Sequence, residues 1–192
     1  MRSEKQIAVT CKSAWHHLFK LSKIRKYLSM DQVKSAIHAY VTSKIDQNNS
    51  MLIGAPKTLL CKLQRVQNAA AKIIVGAKKH DHVTNILFDL HWLPVEARIT
   101  FKVLLLTYKA LNNEGPEYLQ EILVRYIPKR SLRSSDEDLL YIPKSNLSSY
   151  GDRAFSVIAP KLWNNIPKEI RQCNSTETFK KHLKTFLFRQ SF

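Results

Sequence analysis

Glycine and long apolar runs are scarce in this 192-residue sequence. Only four residues are glycine, which argues against a β-sandwich with its many tight turns and favours helices. The densest apolar stretch, residues 99–111, is interrupted by Lys102 and Lys109, so no segment has the length and apolarity needed to cross a bilayer. These absences predict a mainly α-helical protein with no membrane partner.

Cysteine is also rare. Cys11, Cys61 and Cys173 are far apart and odd in number, so they do not indicate a disulfide framework. The first six residues lead into an amphipathic helical pattern and lack the apolar core of a signal peptide. We therefore expect a reducing, intracellular compartment, either the nucleus or the cytoplasm.

Positive charge is concentrated in the first part of the chain. The formal net charge is +16. Residues 1–79 carry 15 Lys and Arg against 3 acidic residues, whereas residues 80–192 carry 16 against 12. Such a one-sided field attracts polyanions, and nucleic acid is the partner that it predicts. The alternative is a solubilising surface, although such surfaces usually mix both signs.

Apolar residues at helical spacing predict two long helices and a shorter one in the first half of the chain. The first covers residues 5–27, and its predicted apolar face consists of Ile7, Cys11, Ala14, Trp15, Leu18 and Phe19. Ser29 and Gln32 form the pattern of a capping box, which opens a second helix ending near Gln47. The third begins near Lys57, and its apolar stripe consists of Leu59, Leu63, Val66, Ala70, Ile73 and Ile74.

The second half is predicted to contain one long buried helix and several shorter ones. A short helix over residues 84–91 precedes Pro94, which opens a nearly all-apolar helix ending near Asn112. Shorter helices are predicted over residues 116–126, 152–159 and 162–172, and the last helix follows Ser175. The predicted fold is a bundle of about eight helices.

Residues 127–149 break the helical pattern, because they contain two prolines and six serines. This composition predicts an irregular segment with a short extended piece at residues 139–142. We therefore expect three parts: a basic helical domain over residues 1–126, an irregular connector over residues 127–149 and a helical C-terminal tail over residues 150–192.

The first and third helices carry the residues predicted to bind nucleic acid. Their cations lie outside the apolar stripes, where they can contact phosphates. The predicted phosphate contacts are Lys12, Lys20, Lys23, Arg25, Lys62, Arg65 and Lys72. Gln64, Gln67 and Asn68 are expected to add hydrogen bonds to sugars or groove edges.

Four aromatic residues have two possible roles. Trp15, Tyr27 and Trp163 have planar rings that can stack on bases. Each also lies on an apolar helical stripe, which favours a place in the core. Trp92, between two predicted helices, is expected to be a core wedge.

The sequence contains no recognisable catalytic or metal-binding pattern. The one close histidine pair is His80 and His82, and no cysteine or second pair lies at zinc-site spacing. The one acidic cluster, residues 136–138, lies beside Arg130 and Arg133 in the serine-rich segment, which is typical of solvated charge rather than of two-metal catalysis. We therefore expect no enzymatic activity, no cofactor and no bound metal.

Seven short strings along the chain carry a family resemblance. Three are residues 62–68 (KLQRVQN), 90–95 (LHWLPV) and 150–156 (YGDRAFS). Four more are residues 11–14 (CKSA), 24–28 (IRKYL), 38–43 (HAYVTS) and 159–164 (APKLWN). Together, and in their order along the chain, they resemble the region after the polymerase domain in reverse transcriptases of LINE-type non-LTR retrotransposons.

In that family the region supplies a thumb, which grips the primer–template duplex, and a C-terminal tail. The resemblance implies a non-catalytic fragment that binds RNA, DNA or an RNA–DNA hybrid. The family's catalytic aspartates, on an aromatic-x-Asp-Asp turn, have no counterpart in this chain. The resemblance implies that they would lie upstream of Met1, in a polymerase domain that is then a further partner.

Two other interpretations stay open from the sequence. In the first, the chain is a structural remnant that packed against a missing polymerase palm and has no independent activity. Its isolated form would then expose apolar patches. In the second it is an enzyme whose site carries no recognisable pattern.

Overall fold

All regular structure in the described part of the chain is helical, which confirms the predicted mainly α-helical fold. The computed structural model describes residues 2–78, 80–128, 138–145 and 151–192, with side chains from Glu4 onward. Its α-helical segments are α1 (Arg2–Ile24), α2 (Met30–Ile37), α3 (Ser43–Asp46), α4 (Lys57–Val75), α5 (Val83–Asp89), α6 (Val95–Leu111), α7 (Glu117–Ile122), α8 (Phe155–Asn164), α9 (Lys168–Arg171) and α10 (Thr176–Ser191). A π-helical turn, His38–Thr42, joins α2 to α3, so the ten segments make nine helices within the described ranges.

The chain divides into two compact units, and their boundary differs from the sequence prediction. Unit 1 comprises Met1–Ile99 and Leu187–Phe192, and unit 2 comprises Thr100–Phe186. The division therefore falls inside α6 and inside α10 rather than in the expected connector at residues 127–149. Most of that connector, residues 129–137 and 146–149, lies outside the described residues.

The start of α2 follows the sequence prediction in detail. The Ser29 hydroxyl accepts a hydrogen bond from the Gln32 amide, and the Gln32 side chain accepts one from the Ser29 amide. This reciprocal capping box satisfies two amide groups that a helix start would otherwise leave unpaired. It confirms the predicted box and fixes where the second helix begins.

Helix α4 is central to the core of unit 1. Its predicted apolar stripe is confirmed, since Leu63, Val66, Ala70 and Ile74 are buried together with Ile7 and Leu18 from α1 and with residues of α2 and α3. Gly76 then ends α4 at a φ of 70°, which is the left-handed conformation that favours glycine at this position.

Residues 90–95 connect α5 to α6 through a tight turn. The Trp92 amide donates to the Leu87 carbonyl, and His91 adopts a positive φ of 53°. Trp92 is half-buried against the core of unit 1, as expected for a wedge, while Leu93 and Val95 are buried. Pro94 directly precedes α6, so the predicted start of the long helix is confirmed.

Unit 2 has an aromatic core. Phe179 is fully buried, and its ring stacks on Tyr108 at 4.1 Å and lies 6.0 Å from Trp163. Trp163 is buried as predicted, and its indole N–H donates to the Asp138 carbonyl.

The predicted extended piece at residues 139–142 is confirmed by an isolated antiparallel bridge between Arg125 and Leu140. The Tyr126 amide donates to the Leu139 carbonyl, and the Tyr141 amide donates to the Val124 carbonyl. Because these backbone groups pair across the bridge, α7 ends at Ile122, and the predicted helix to Tyr126 is too long.

Candidate nucleic-acid interface

Helices α1 and α4 lie side by side in unit 1 and point in the same direction. Near one end burial raises the pKa of the Cys11 thiol, and the Lys62 ammonium is close enough to oppose part of this rise. At the other end Arg25, just after α1, bonds the carbonyls of Ile73 and Ile74. Since α1 and α4 pack together in the core of unit 1, the outward faces of both helices belong to the surface of the same unit.

Five of the seven predicted phosphate contacts are exposed on these outward faces. They are Lys12, Lys20, Lys23, Lys62 and Arg65, which we call the cationic surface. Within the described ranges, none of these five side chains makes a hydrogen bond or an ion pair with a protein group. Their charges are therefore available to an external anion.

The sequence around the cationic surface contains no acidic residue, a signal that the sequence-based interpretation did not use. Residues 5–30 carry six Lys and Arg with no Asp or Glu, and residues 47–80 carry six more with none. Helix α4, and all of α1 after Glu4, therefore carry no acidic residue. Their charges reinforce one another instead of being neutralised locally.

Arg25 is placed differently from the sequence prediction. Its Nε donates to the Ile73 carbonyl and its Nη2 to the Ile74 carbonyl, each at 2.9 Å, while Nη1 donates to the Leu28 carbonyl at 3.2 Å. These carbonyls of α4 lie in its last turn, where they have no helical partner. Arg25 is therefore a capping residue of α4, and we remove it from the predicted phosphate contacts.

Lys72 differs from the five members of the cationic surface. Its side chain is half-buried and already has an interaction partner within the protein. We therefore do not count Lys72 in the cationic surface.

The amide side chains of α4 also have structural partners. Gln67 is buried, and its Nε2 donates to the Leu93 carbonyl at 2.8 Å. Gln64 accepts from the Val95 amide at 2.9 Å and donates to Gln67 and Asn68. For the buried Gln67 the prediction of contacts with sugars or groove edges is corrected, because Gln67 and Gln64 tie α4 to the start of α6. Asn68 accepts from Gln64, and for these two half-buried amides contact with nucleic acid stays a prediction.

Three aromatic rings near the cationic surface are exposed, against the prediction that core packing is favoured for Trp15 and Tyr27. Trp15 is 46% exposed, Phe19 61% and Tyr27 75%. We call these three the ring stripe. The buried line of α1 consists instead of Ile7, Ala14, Leu18 and Leu21. Trp15 and Phe19 each follow a buried residue by one position, which turns them about 100° away from the core.

Two of the exposed rings lie beside cations. The Lys23 ammonium lies 4.4 Å from the centroid of the Phe19 ring, and the Lys26 ammonium lies 4.8 Å from the Tyr27 ring. Cation–π attraction holds these two exposed rings beside a positive charge. The outward face of α1 thus combines flat apolar surfaces with ammonium groups.

Histidine and cysteine side chains next to this face have shifted pKa values. Partial burial lowers the pKa of His17 below its ordinary 6.5, and the nearby cations Lys44, His16 and Lys20 lower it further. The His17 ring also stacks on Tyr40. Partial burial raises the pKa of the Cys11 thiol. Both groups are therefore uncharged near neutral pH and add neither a positive nor a negative charge to the surface.

The described residues contain no cluster of His, Cys, Asp and Glu that could hold a metal ion. Of the acidic segment at residues 136–138, only Asp138 is described. Its carboxylate pairs with Arg125 at 2.8 Å and accepts from Gln172, as expected for a structural charge pair. The Cys173 Sγ and His182 Nδ1 atoms lie 3.6 Å apart, and burial raises the pKa of this thiol, whereas an activated nucleophile needs a lowered one.

Unit 2 contains an open cavity of about 340 Å³ beside this ion pair. Arg171 lines it, and its Nη1 donates to the carbonyls of Trp163, Asn164 and Ile166 around the end of α8. The arginine thus donates to carbonyls at and just beyond the end of α8, where few helical amide donors remain.

Comparison of the chain with protein-family models, with curated proteins and with solved structures finds no match. None of the described helices is both long and apolar enough to cross a lipid bilayer.

Proposed function

We propose that the chain is a non-catalytic nucleic-acid-binding region, the thumb and tail of a LINE-type reverse transcriptase, which grips RNA or an RNA–DNA duplex through phosphate contacts. The observation that carries this proposal is the cationic surface on α1 and α4, two packed helices in which Glu4 is the one acidic residue. The family assignment rests on the seven sequence strings, and the binding assignment rests on the surface.

The magnitude of the effect follows from counterion release. Each phosphate neutralised on a duplex contributes about −0.9 to the slope of log affinity against log salt. Five contacts therefore give a slope of about −4.5, or about a 500-fold loss of affinity between 50 and 200 mM salt. A surface that merely keeps the protein soluble has no reason to give a slope of this size.

The experiment measures binding of the full chain to an RNA–DNA hybrid over a salt series. We expect Lys62→Ala combined with Arg65→Ala to reduce the slope by about 2. Lys181→Ala combined with Lys184→Ala is the matched control, because both of these lysines are exposed on α10 in unit 2. A slope near zero for the unaltered chain contradicts the proposal, and an equal loss in both double variants contradicts the assignment to α1 and α4.

The exposed apolar rings favour a second candidate function, a surface that packs against a polymerase palm. Exposed patches of this kind mark protein contacts in many chains. In this case the isolated chain would self-associate through the ring stripe. Light scattering at high concentration tests it: a monomeric chain with a steep salt slope excludes the palm-docking role for this face.

A further inference from the structure

The ring stripe adds exposed aromatic surface to the cationic surface, and binding of phosphates alone does not need such rings. Trp15 and Phe19 lie on one outward flank of α1, and Tyr27 follows directly after the helix. Exposed rings of this size are costly in water unless a partner covers them. They therefore indicate what the partner presents besides phosphate.

We propose that the ring stripe stacks unpaired bases, so that this surface prefers single-stranded RNA or DNA to a duplex. The inference rests on the proposed nucleic-acid function and specifies its preferred ligand. In a duplex the faces of the bases are stacked on one another and closed to side chains, whereas unpaired bases can be splayed onto aromatic rings. Phosphate contacts serve either ligand, but only a single strand uses the rings.

The spacing of Trp15 and Phe19 along α1 is one that the bases of a single strand can match. Four residues separate Trp15 from Phe19, which is about 6 Å along a helix. This distance is comparable with two base-stacking repeats of about 3.4 Å each. Lys12 precedes the first ring and Lys20 and Lys23 follow the second, so a strand lying along α1 meets phosphate contacts and stacking surfaces in turn.

The charge around the rings favours nucleic acid over a protein partner. The cores of protein–protein interfaces are depleted in lysine, whereas surfaces for single strands combine cations with aromatic rings. The Lys23 ammonium lies 4.4 Å from the Phe19 ring, so covering this ring with an apolar protein surface would also desolvate a charge. A phosphate beside the stacked base compensates that same charge.

The test compares a single-stranded oligouridine RNA of about 20 nucleotides with an RNA–DNA hybrid of the same length, by fluorescence anisotropy at fixed salt. Phe19→Leu keeps an apolar side chain but removes the ring. It is expected to weaken oligouridine binding by about 5-fold or more, on a stacking contribution of at least about 1 kcal/mol per base. Hybrid binding should stay within about twofold, and Phe19→Tyr, which keeps the ring, should restore oligouridine affinity.

Tyr118→Leu is the matched control, because Tyr118 is 63% exposed and lies on α7 in unit 2. It should leave both affinities unchanged. The pair Trp15→Leu and Trp15→Phe repeats the test at the second ring if circular dichroism shows that Phe19→Leu loses helix.

The outcomes separate this inference from the proposed function. Salt-dependent binding in which Phe19→Leu changes neither affinity, or lowers both equally, overturns the single-strand preference and leaves the phosphate-binding function standing. Tighter binding of the hybrid than of the single strand by the unaltered chain also overturns it. Absence of binding to both ligands removes the proposed function and this inference together.

Discussion

Arg25 is expected to stabilise the C-terminal end of α4 and to contribute no phosphate contact. Its guanidinium makes two 2.9 Å hydrogen bonds to the carbonyls of Ile73 and Ile74, which a helix end leaves without partners. Replacing Arg25 by Ala removes both bonds and also removes a cation from the negative end of the α4 dipole. The variant therefore tests a position where the sequence and the structure give different roles.

The magnitude follows from these two contributions. Hydrogen bonds to a charged group are worth about 1.5–3 kcal/mol each when the partner is desolvated, and a cation at a helix C-terminus adds about 0.3–1 kcal/mol. Arg25 is only half-buried, so water replaces part of each lost bond. We therefore expect Arg25→Ala to lower the free energy of unfolding by about 2–3 kcal/mol. Arg25→Lys should recover less than half of this loss, because one ammonium cannot reproduce the guanidinium fork.

Urea denaturation followed by circular dichroism measures the loss. Lys26→Ala is the matched control, since Lys26 is the next residue, is exposed and carries the same charge; it should change the free energy of unfolding by less than about 0.5 kcal/mol. The salt slope of hybrid binding should be the same for folded Arg25→Ala as for the unaltered chain. A variant of unchanged stability whose slope falls by about 1 would restore Arg25 as a phosphate contact and refute the capping role.

Three further predictions concern the two units separately. Gln67→Leu removes one of the two donors to the Leu93 carbonyl, which keeps its bond from Arg98, so it should destabilise the chain by about 0.5–1.5 kcal/mol in urea denaturation while the affinity for RNA stays unchanged; lost affinity in the folded variant would mean that the amide contacts nucleic acid. Phe179→Ala removes a fully buried ring stacked on Tyr108, so thermal denaturation should show a loss of about 3–5 kcal/mol, and a loss below about 1 kcal/mol would contradict the packing described for unit 2. His17 has a pKa that partial burial lowers below 6.5, so the unfolded chain binds its proton more readily than the folded one. The free energy of unfolding should therefore fall as the pH drops through 6.5 towards the lowered folded-state pKa, and His17→Gln should remove this part of the pH dependence. Identical pH profiles of stability for the unaltered chain and His17→Gln would contradict this role of His17.

Local patterns explain why much of the fold could be predicted. The capping box at Ser29 and the apolar stripe of α4 depend on residues three or four positions apart, and the helix itself brings such residues together. The start of α6 after Pro94 depends on the fixed φ of one residue. These features need no information from distant parts of the chain.

The face of α1 shows where a local pattern was too permissive. The predicted apolar face included Trp15 and Phe19, each of which is adjacent in sequence to a residue that is buried. A stripe that includes both a buried residue and the residue directly after it covers about 100° more of the helix than the core can contact. A narrower stripe through Ile7, Ala14, Leu18 and Leu21 would have left the two rings in solvent and identified the ring stripe from the sequence.

The roles of Arg25 and Gln67 could not be predicted because their partners are distant in sequence. Arg25 bonds carbonyls 48 and 49 residues further along the chain, and Gln67 bonds one that is 26 residues further along. Spacing along one helix shows that a polar side chain lies outside the apolar stripe. It cannot show which backbone group from another part of the chain that side chain contacts. The unit boundary inside α6 has the same origin, since it depends on tertiary packing rather than on a change of composition.

Arginine and lysine have different roles in this protein, and the difference decides which charges define the interface. Arg25, Arg98 and Arg171 all donate to backbone carbonyls, and Arg98 also pairs with Asp46 at 2.6 Å. A guanidinium is weakly hydrated and has a fork of donors, so it can be partly buried while satisfying several acceptors at once. An ammonium is strongly hydrated and keeps its charge in water. A count of cations from the sequence therefore overstates the charge available to a ligand, and the four lysines of the cationic surface together with Arg65 are the positions at which substitutions should change binding without changing stability.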